Sequence, residues 1–134
     1  MRAERIVSAP FGDVGVPFID PEDIAAVAAA VLRADGHAGR TYVLNGPVPE
    51  TPRERAGILG ELLGEPVRFV EQTADEARAQ MLTNMSPDAV ETTLAILGDP
   101  TAEELRISPD VEQILGRAPR PFAAWAQRHI AAFR

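Results

Sequence analysis

Helix-start signals recur along this chain at close spacing, and they leave little room for anything but short strands between them. Asp20-Pro21-Glu22-Asp23, Thr51-Pro52-Arg53-Glu54, Thr73-Ala74-Asp75-Glu76, Ser86-Pro87 and Ser108-Pro109-Asp110 each place a side-chain acceptor before a proline or an acidic first turn. Such a residue accepts a hydrogen bond from a free backbone N–H, proline fits the first helical position, and a carboxylate three residues on closes the capping box. Gly64, Gly98 and Gly116 supply the stops, because a residue without Cβ takes the left-handed conformation at little cost. The spacing predicts helices from Pro21, from Pro52 to Gly64, from Ala74 to about Asn84, from Pro87 to Gly98, and from Asp110 to Gly116, with a short turn over Thr101 to Arg106. A last helix carries Phe122, Trp125, Ala126, His129, Ile130 and Phe133 on one stripe, after the stiff connector Arg117-Ala118-Pro119-Arg120-Pro121. In the first helix Ile24, Val27, Ala28, Val31 and Leu32 repeat at helical spacing and are expected to be its buried face.

Four short stretches remain for strands. Thr41-Tyr42-Val43 is β-branched or aromatic and lies between Gly39 and Gly46-Pro47; Pro66 to Glu71 has the same character. With one helix between them, these two are expected to form a βαβ unit whose strands pair in parallel. Arg5 to Ser8 and Val16 to Ile19 read as short extended pieces, the second an edge because of Pro17. The fold class is therefore α/β: a small mixed sheet of about four strands, a parallel pair plus short edges, covered by about five or six helices. The chain is taken as one domain over 1–134, with an α/β part (1–72) and a helical part (73–134).

Composition removes several functions. A net charge of −7, with arginines scattered among 20 carboxylates, argues against a nucleic-acid partner. The chain has no cysteine and no lysine, which removes thiolate and Schiff-base chemistry and a P-loop lysine. No stretch of about twenty apolar residues marks a membrane span. Met1-Arg2-Ala3-Glu4-Arg5 leads into no secretory h-region, so a cytoplasmic protein is expected.

Several side chains invite functional readings, each beside a plainer one. Asp20 and Asp23 are close enough for paired-carboxylate work, yet acids at a helix start serve caps and dipoles. His37 lies in a glycine-flanked loop where an imidazole can move protons or be merely solvated. His129 is a general base or a helix histidine beside Trp125. Two histidines without a third ligand leave no metal site expected. Met81, Leu82, Met85 and Leu94 line an apolar pocket or fill a core. Tyr42 and Asn45 present hydrogen-bonding groups at a strand exit or pack there. Asp13, Asp20, His37 and Tyr42 form the catalytic shortlist; Phe11, Phe18, Asn45, Met81, Leu82, Met85, Leu94 and Trp125 form the substrate-binding one.

Val16-Pro17-Phe18-Ile19-Asp20-Pro21-Glu22-Asp23-Ile24, then Gly36-His37-Ala38-Gly39-Arg40-Thr41-Tyr42-Val43-Leu44-Asn45-Gly46-Pro47, then Leu62-Leu63-Gly64-Glu65-Pro66-Val67 and the tail Val111 to Phe122 follow one another in order. Together they resemble the C-terminal half of NmrA-like atypical short-chain dehydrogenases/reductases. The resemblance implies a substrate-side lobe, whereas the family's nucleotide is held by a glycine-rich turn in a Rossmann half. No such turn is present here, and Tyr42 is followed four residues later by Gly46 in place of lysine. The expectation is thus a truncated lobe, beginning at its own methionine, that binds an apolar small molecule without a nicotinamide cofactor. It would act as a non-redox cyclase, dehydratase or isomerase, or as a ligand-binding protein of secondary metabolism. The alternative is an interaction module: a homodimer joined near Ile6 to Ser8, or a subunit completing a separate Rossmann half. A third reading is a fragment without activity of its own.

Overall fold

Every one of those capping signals begins a helix. The computed structural model describes residues 4–134; the Met1-Arg2-Ala3 lead, on which the secretory-signal argument partly rests, lies outside the described residues. Helix α1 runs Pro21–Arg33 under an Asp20 cap, and α2 runs Pro52–Leu63 between a complete Thr51/Glu54 capping box and a left-handed Gly64. Helix α3 (Ala74–Met81) has the Thr73/Glu76 box. It ends earlier than the expected Asn84, where the Thr83 hydroxyl bonds the Gln80 carbonyl in a turn. Helix α4 covers Pro87–Gly98, α5 Ala102–Leu105, α6 Asp110–Leu115 and α7 Phe122–His129, continued by a 3-10 turn over Ile130–Phe133.

Strands β1 (Ile6–Ala9) and β2 (Arg68–Glu71) pair in parallel, Ile6 opposite Arg68 and Ala9 opposite Glu71. Val16 and Glu50 add one antiparallel bridge. The α/β class therefore holds, with a small parallel pair set among helices, but the pairing itself corrects the expected one. Residues 41–44 form no strand and do not lie beside β2; the partner is the first stretch of the chain, and the crossover carries both α1 and α2. The reason is competition for the backbone. The Val43 N–H donates to Asp110 Oδ2 at 2.7 Å, and Asn45 receives the Ser108 N–H at 2.9 Å while donating to the Arg106 carbonyl at 2.8 Å. The Asp110 carboxylate thus takes one backbone hydrogen bond that a sheet ladder would have used, and the Asn45 side chain ties the segment to residues 106–108, overriding a local β-propensity.

Gly46 holds this segment against the chain before α1. A Cβ there would stand 1.8 Å from the Phe18 carbonyl oxygen, so only glycine permits the approach. The expected apolar face of α1 is also corrected. Ile24 is 45% and Leu32 86% exposed, whereas Asp23 and Val27 are buried. The helix is turned so that a carboxylate, Asp23, faces the interior, for reasons its partners explain below.

Two clusters make the core. Leu59, Ala126 and Ile130 join α2 to the chain's end, with Val7, Val67, Phe122 and Trp125 packed around them. Ala77, Val90 and Leu94 join α3 to α4, with Phe11 and Met81 against them. Burying one leucine-sized side chain is worth about 1.5–3 kcal/mol, so the first cluster fastens the tail helix to α2 and, through Val7, α2 to the strand pair.

Candidate functional site

Because β1 and β2 are parallel, their carboxyl ends, Ala9 and Glu71, lie side by side, and the Gln72 N–H donates to the Ala9 carbonyl at 3.0 Å just beyond them. Past β1 the chain turns sharply. Gly12 sits against the Phe69 ring, where a Cβ would come within 2.4 Å of Cε1, and Phe11 adopts a left-handed φ of 53°. That conformation is uncommon for a bulky side chain and costs on the order of 1–3 kcal/mol. It sends the Phe11 ring over Gly98 at the end of α4, where a Cβ would meet ring carbons at 2.8 Å.

The result is a cleft of about 500 Å³ at the exit of the strand pair. Phe11, Val14, Val16, Phe18, Met81, Met85 and Leu97 give it apolar walls; Ser8, Gln72, Gln80, Asn84 and Thr93 add polar groups. Gln72 donates to Gln80 Oε1 at 3.0 Å, which links the end of β2 to α3 and orients both amides. A second cleft of about 220 Å³ is lined by Phe18, Asp20, Glu50, Arg120, Phe122 and Trp125. Phe18 and Arg55 belong to both.

Electrostatics concentrate at that junction. The Arg55 guanidinium lies 4.2 Å over the Phe18 ring and 5.8 Å from that of Phe122, and its buried Nε has no hydrogen-bond partner. Burial lowers its pKa, opposed by the charge of Glu50; arginine nonetheless stays protonated. Burial likewise pushes the Glu50 carboxyl above its ordinary value, although Arg55 and the Phe122 N–H pull it down.

The catalytic shortlist is dispersed. Asp13 is outside both clefts, held by Arg53 at 2.7 Å and 3.3 Å, and the Arg53 hydrogen bond lowers its pKa. Asp20 edges the smaller cleft, where its carboxylate caps α1 and accepts from Arg128 at 2.5 Å. His37 and Tyr42 share a 2.7 Å hydrogen bond with their rings edge to face, and neither lines either cleft. Only that last pair is brought together. Among the substrate-binding residues, Phe11, Phe18, Met81 and Met85 line the main cleft and Trp125 the smaller one. Leu94 is buried in the α3–α4 core, Leu82 is 45% exposed, and both ends of the Asn45 amide brace residues 106–108. The His129 ring lies tilted against that of Trp125, with centroids 4.9 Å apart. Arg55, Gln72 and Gln80 were not singled out from sequence. The rule that sites gather at the carboxyl ends of parallel strands points to Ser8 and Gln72 once β1 is recognised as β2's partner.

Could these residues hold a dinucleotide? A pyrophosphate needs free N–H groups at a helix start reached by a glycine-rich turn. Here the starts of α1 to α5 are filled by the side chains of Asp20, Thr51, Thr73, Ser86 and Thr101. Carboxylates Glu54, Glu76 and Glu104 complete three of those caps and would repel phosphate. Those five starts therefore do not fit the group, whereas α7 begins without a side-chain cap among the described residues. No cluster of metal-ligating side chains occurs among them either, and no described helix is long and apolar enough to cross a membrane.

No family model matches the chain. It is 37% identical over 134 residues to a (4-alkanoyl-5-oxo-2,5-dihydrofuran-3-yl)methyl phosphate reductase of Streptomyces griseus, covering 99% of this chain and 48% of that protein. To an NAD(P)H azoreductase of Xenophilus azovorans it is 35% identical over 133 residues, covering 92% of this chain and 44% of that one. The chain thus spans about half the length of the relatives it matches. These findings correct the reading of a truncated, cofactor-free module: the similar proteins are named as reductases, one of them for NAD(P)H, so the non-redox cyclase, dehydratase or isomerase and the cofactor-free ligand-binding protein are set aside. In three dimensions the chain is similar, over 95% of its length and 45% of the other's, to the triphenylmethane reductase of Citrobacter sp. complexed with NADP(H), at 25% identity and a TM-score of 0.69.

Proposed function

We propose that this chain serves the NAD(P)H-dependent reduction of an apolar, unsaturated acceptor, and that the main cleft is where the acceptor sits. The observation that carries this reading is the position and lining of the cleft: it opens at the carboxyl ends of a parallel pair, with phenylalanine and methionine walls and two mutually oriented glutamines. Apolar walls with few fixed polar groups suit a small organic molecule. Methionines let the walls adjust to its outline. The similar proteins are named for a dihydrofuran phosphate, an azo compound and a triphenylmethane, acceptors of this broad kind.

Reduced nicotinamide supplies a hydride in such reactions. The chain's own share is to bind the acceptor, exclude water with Phe11, Phe18 and Met81, and fix its orientation through Gln72 and Gln80. The test follows NADPH absorbance in the presence of a quinone and an azo dye, with calorimetric titration of each acceptor alongside. Acceptor-dependent loss of NADPH is the expected result. Acceptor binding without NADPH loss overturns the redox assignment, and absence of both overturns the cleft as well.

A further inference from the structure

We propose that Arg55 is an oxyanion anchor, and that the ligand this chain takes carries a phosphate or carboxylate at the junction of the two clefts. The inference rests on the cleft being the ligand site and deepens that reading by naming a chemical class.

Arg55 differs from the other described arginines. Arg5, Arg53, Arg78, Arg106, Arg117, Arg120 and Arg128 each pair with a carboxylate. Arg33, Arg40, Arg68 and Arg134 have no ion pair but are exposed, where water serves them. Arg55 alone among the described residues is half-buried, lines two clefts and has neither ion pair nor side-chain hydrogen bond. A guanidinium carries five N–H donors around its planar edge. The guanidinium carbon lies 4.2 Å over the Phe18 ring, and no acceptor among the described residues takes its terminal N–H donors, which leaves them for a bidentate oxyanion.

Purely structural roles account for this less well. A cation kept only to stack on an aromatic ring is served best where its edge is in water, yet Nε here is sealed and unsatisfied. Glu50 is the nearest candidate for a counter-charge, but no ion pair joins it to Arg55, and its own burial favours the protonated form. An incoming oxyanion meets the guanidinium at its terminal Nη groups, which unlike Nε are not sealed, neutralises it, and lets the ligand's apolar body lie against Phe18 and Val16 in the main cleft.

The chain's single tryptophan, Trp125, lines the smaller cleft and gives a direct optical readout. Octyl phosphate, octanoate and octanol would be titrated into the full chain by fluorescence and calorimetry, without NADPH. Both anions are expected to bind about tenfold or more tightly than the alcohol, since charge-assisted hydrogen bonds are the strong ones. The comparison between them separates phosphate from carboxylate. Arg55→Met should abolish the preference, and Arg55→Lys, which keeps charge but loses the fork, should retain part of it. Equal binding of the three probes, or a preference that survives Arg55→Met, overturns the proposal. Should Arg55→Met fail to fold by circular dichroism, Arg55→Lys decides alone: an unchanged preference with both anions overturns it, and a several-fold loss supports it. Because no NADPH is present, failure here is separate from failure of the reductase reading.

Discussion

Asp23 and Arg117, 94 positions apart in sequence, meet at 2.7 Å inside the protein. The carboxylate is fully buried; its other oxygen receives the Arg120 backbone N–H, also at 2.7 Å, and the Arg120 side chain approaches to 3.2 Å. One carboxylate thus fastens α1 to the proline-rich connector before α7. Both of its oxygens are partnered by hydrogen bonds and by positive charge, the condition under which a buried charge is tolerated.

Replacing Asp23 with asparagine leaves Arg117 without its counter-charge; breaking a fully buried pair costs about 3–5 kcal/mol, but the Arg117 side chain is 38% exposed and water takes up part of the loss. Asp23→Asn is expected to destabilise the chain by about 2 kcal/mol in urea unfolding. A loss below about 1 kcal/mol would show that the pair is dispensable.

The same carboxyl sets an acid dependence. Burial alone would raise its pKa, but the Arg117 and Arg120 hydrogen bonds and charges reverse this, so the folded value lies below the ordinary one. A depressed acid contributes stability that is fully present above its unfolded pKa, about 4, and is lost as pH falls through the folded value. Unfolding curves should show wild type losing stability below about pH 4, and Asp23→Asn losing less over that interval.

Glu50 has the opposite sign. Burial holds its folded pKa above the ordinary value, so the ionised form is disfavoured in the folded chain and stability falls as pH rises through the titration. Glu50→Gln should therefore raise the melting temperature slightly at neutral pH, with the difference vanishing below about pH 4. A destabilised variant at neutral pH would mean that the charge of Glu50 is needed beside Arg55.

Gly46→Ala tests the close approach of two backbone segments. The added Cβ would sit 1.8 Å from the Phe18 carbonyl oxygen, and backbone cannot move aside as a side chain can. A loss of about 2 kcal/mol or more is expected, and thermal melting measures it.

At Gly98 two effects oppose each other. Alanine favours a helix over glycine by about 1 kcal/mol, but the new Cβ would meet the Phe11 ring at 2.8 Å. The ring can yield only by moving, and its surroundings are the main cleft. Gly98→Ala should leave stability within about 1 kcal/mol of wild type while weakening binding of an apolar acceptor several-fold, as read by calorimetry. Unchanged binding would place the acceptor elsewhere.

Much of the helical architecture was legible because caps are local. Thr51, Glu54 and Gly64 bracket α2 as their residue types require, and Thr73 and Ser86 open α3 and α4 in the same way; Gly98 ends α4 without the left-handed turn expected of it, the cap falling on Asp99. The orientation of α1 was not legible: Ile24 and Leu32 carry the apolar period, yet the buried position is Asp23, whose partners lie near the other end of the chain. Among the substrate-binding candidates, Phe11, Phe18, Met81 and Met85 were readable as large apolar groups near turns. Arg55 was not, because its importance comes from lacking a partner, and only packing reveals that.

By itself, then, the sequence determined where helices start and stop and that the strands between them are short, since each depends on hydrogen bonds among residues three or four apart. Tertiary structure alone decided that β2 pairs with Ile6–Ala9 and not with 41–44, and hence where the cleft opens. Strand pairing joins distant segments, and the choice among partners of similar propensity falls to their tertiary surroundings: the Asp110 carboxylate claims the Val43 backbone N–H, and the Asn45 side chain holds its segment against residues 106–108.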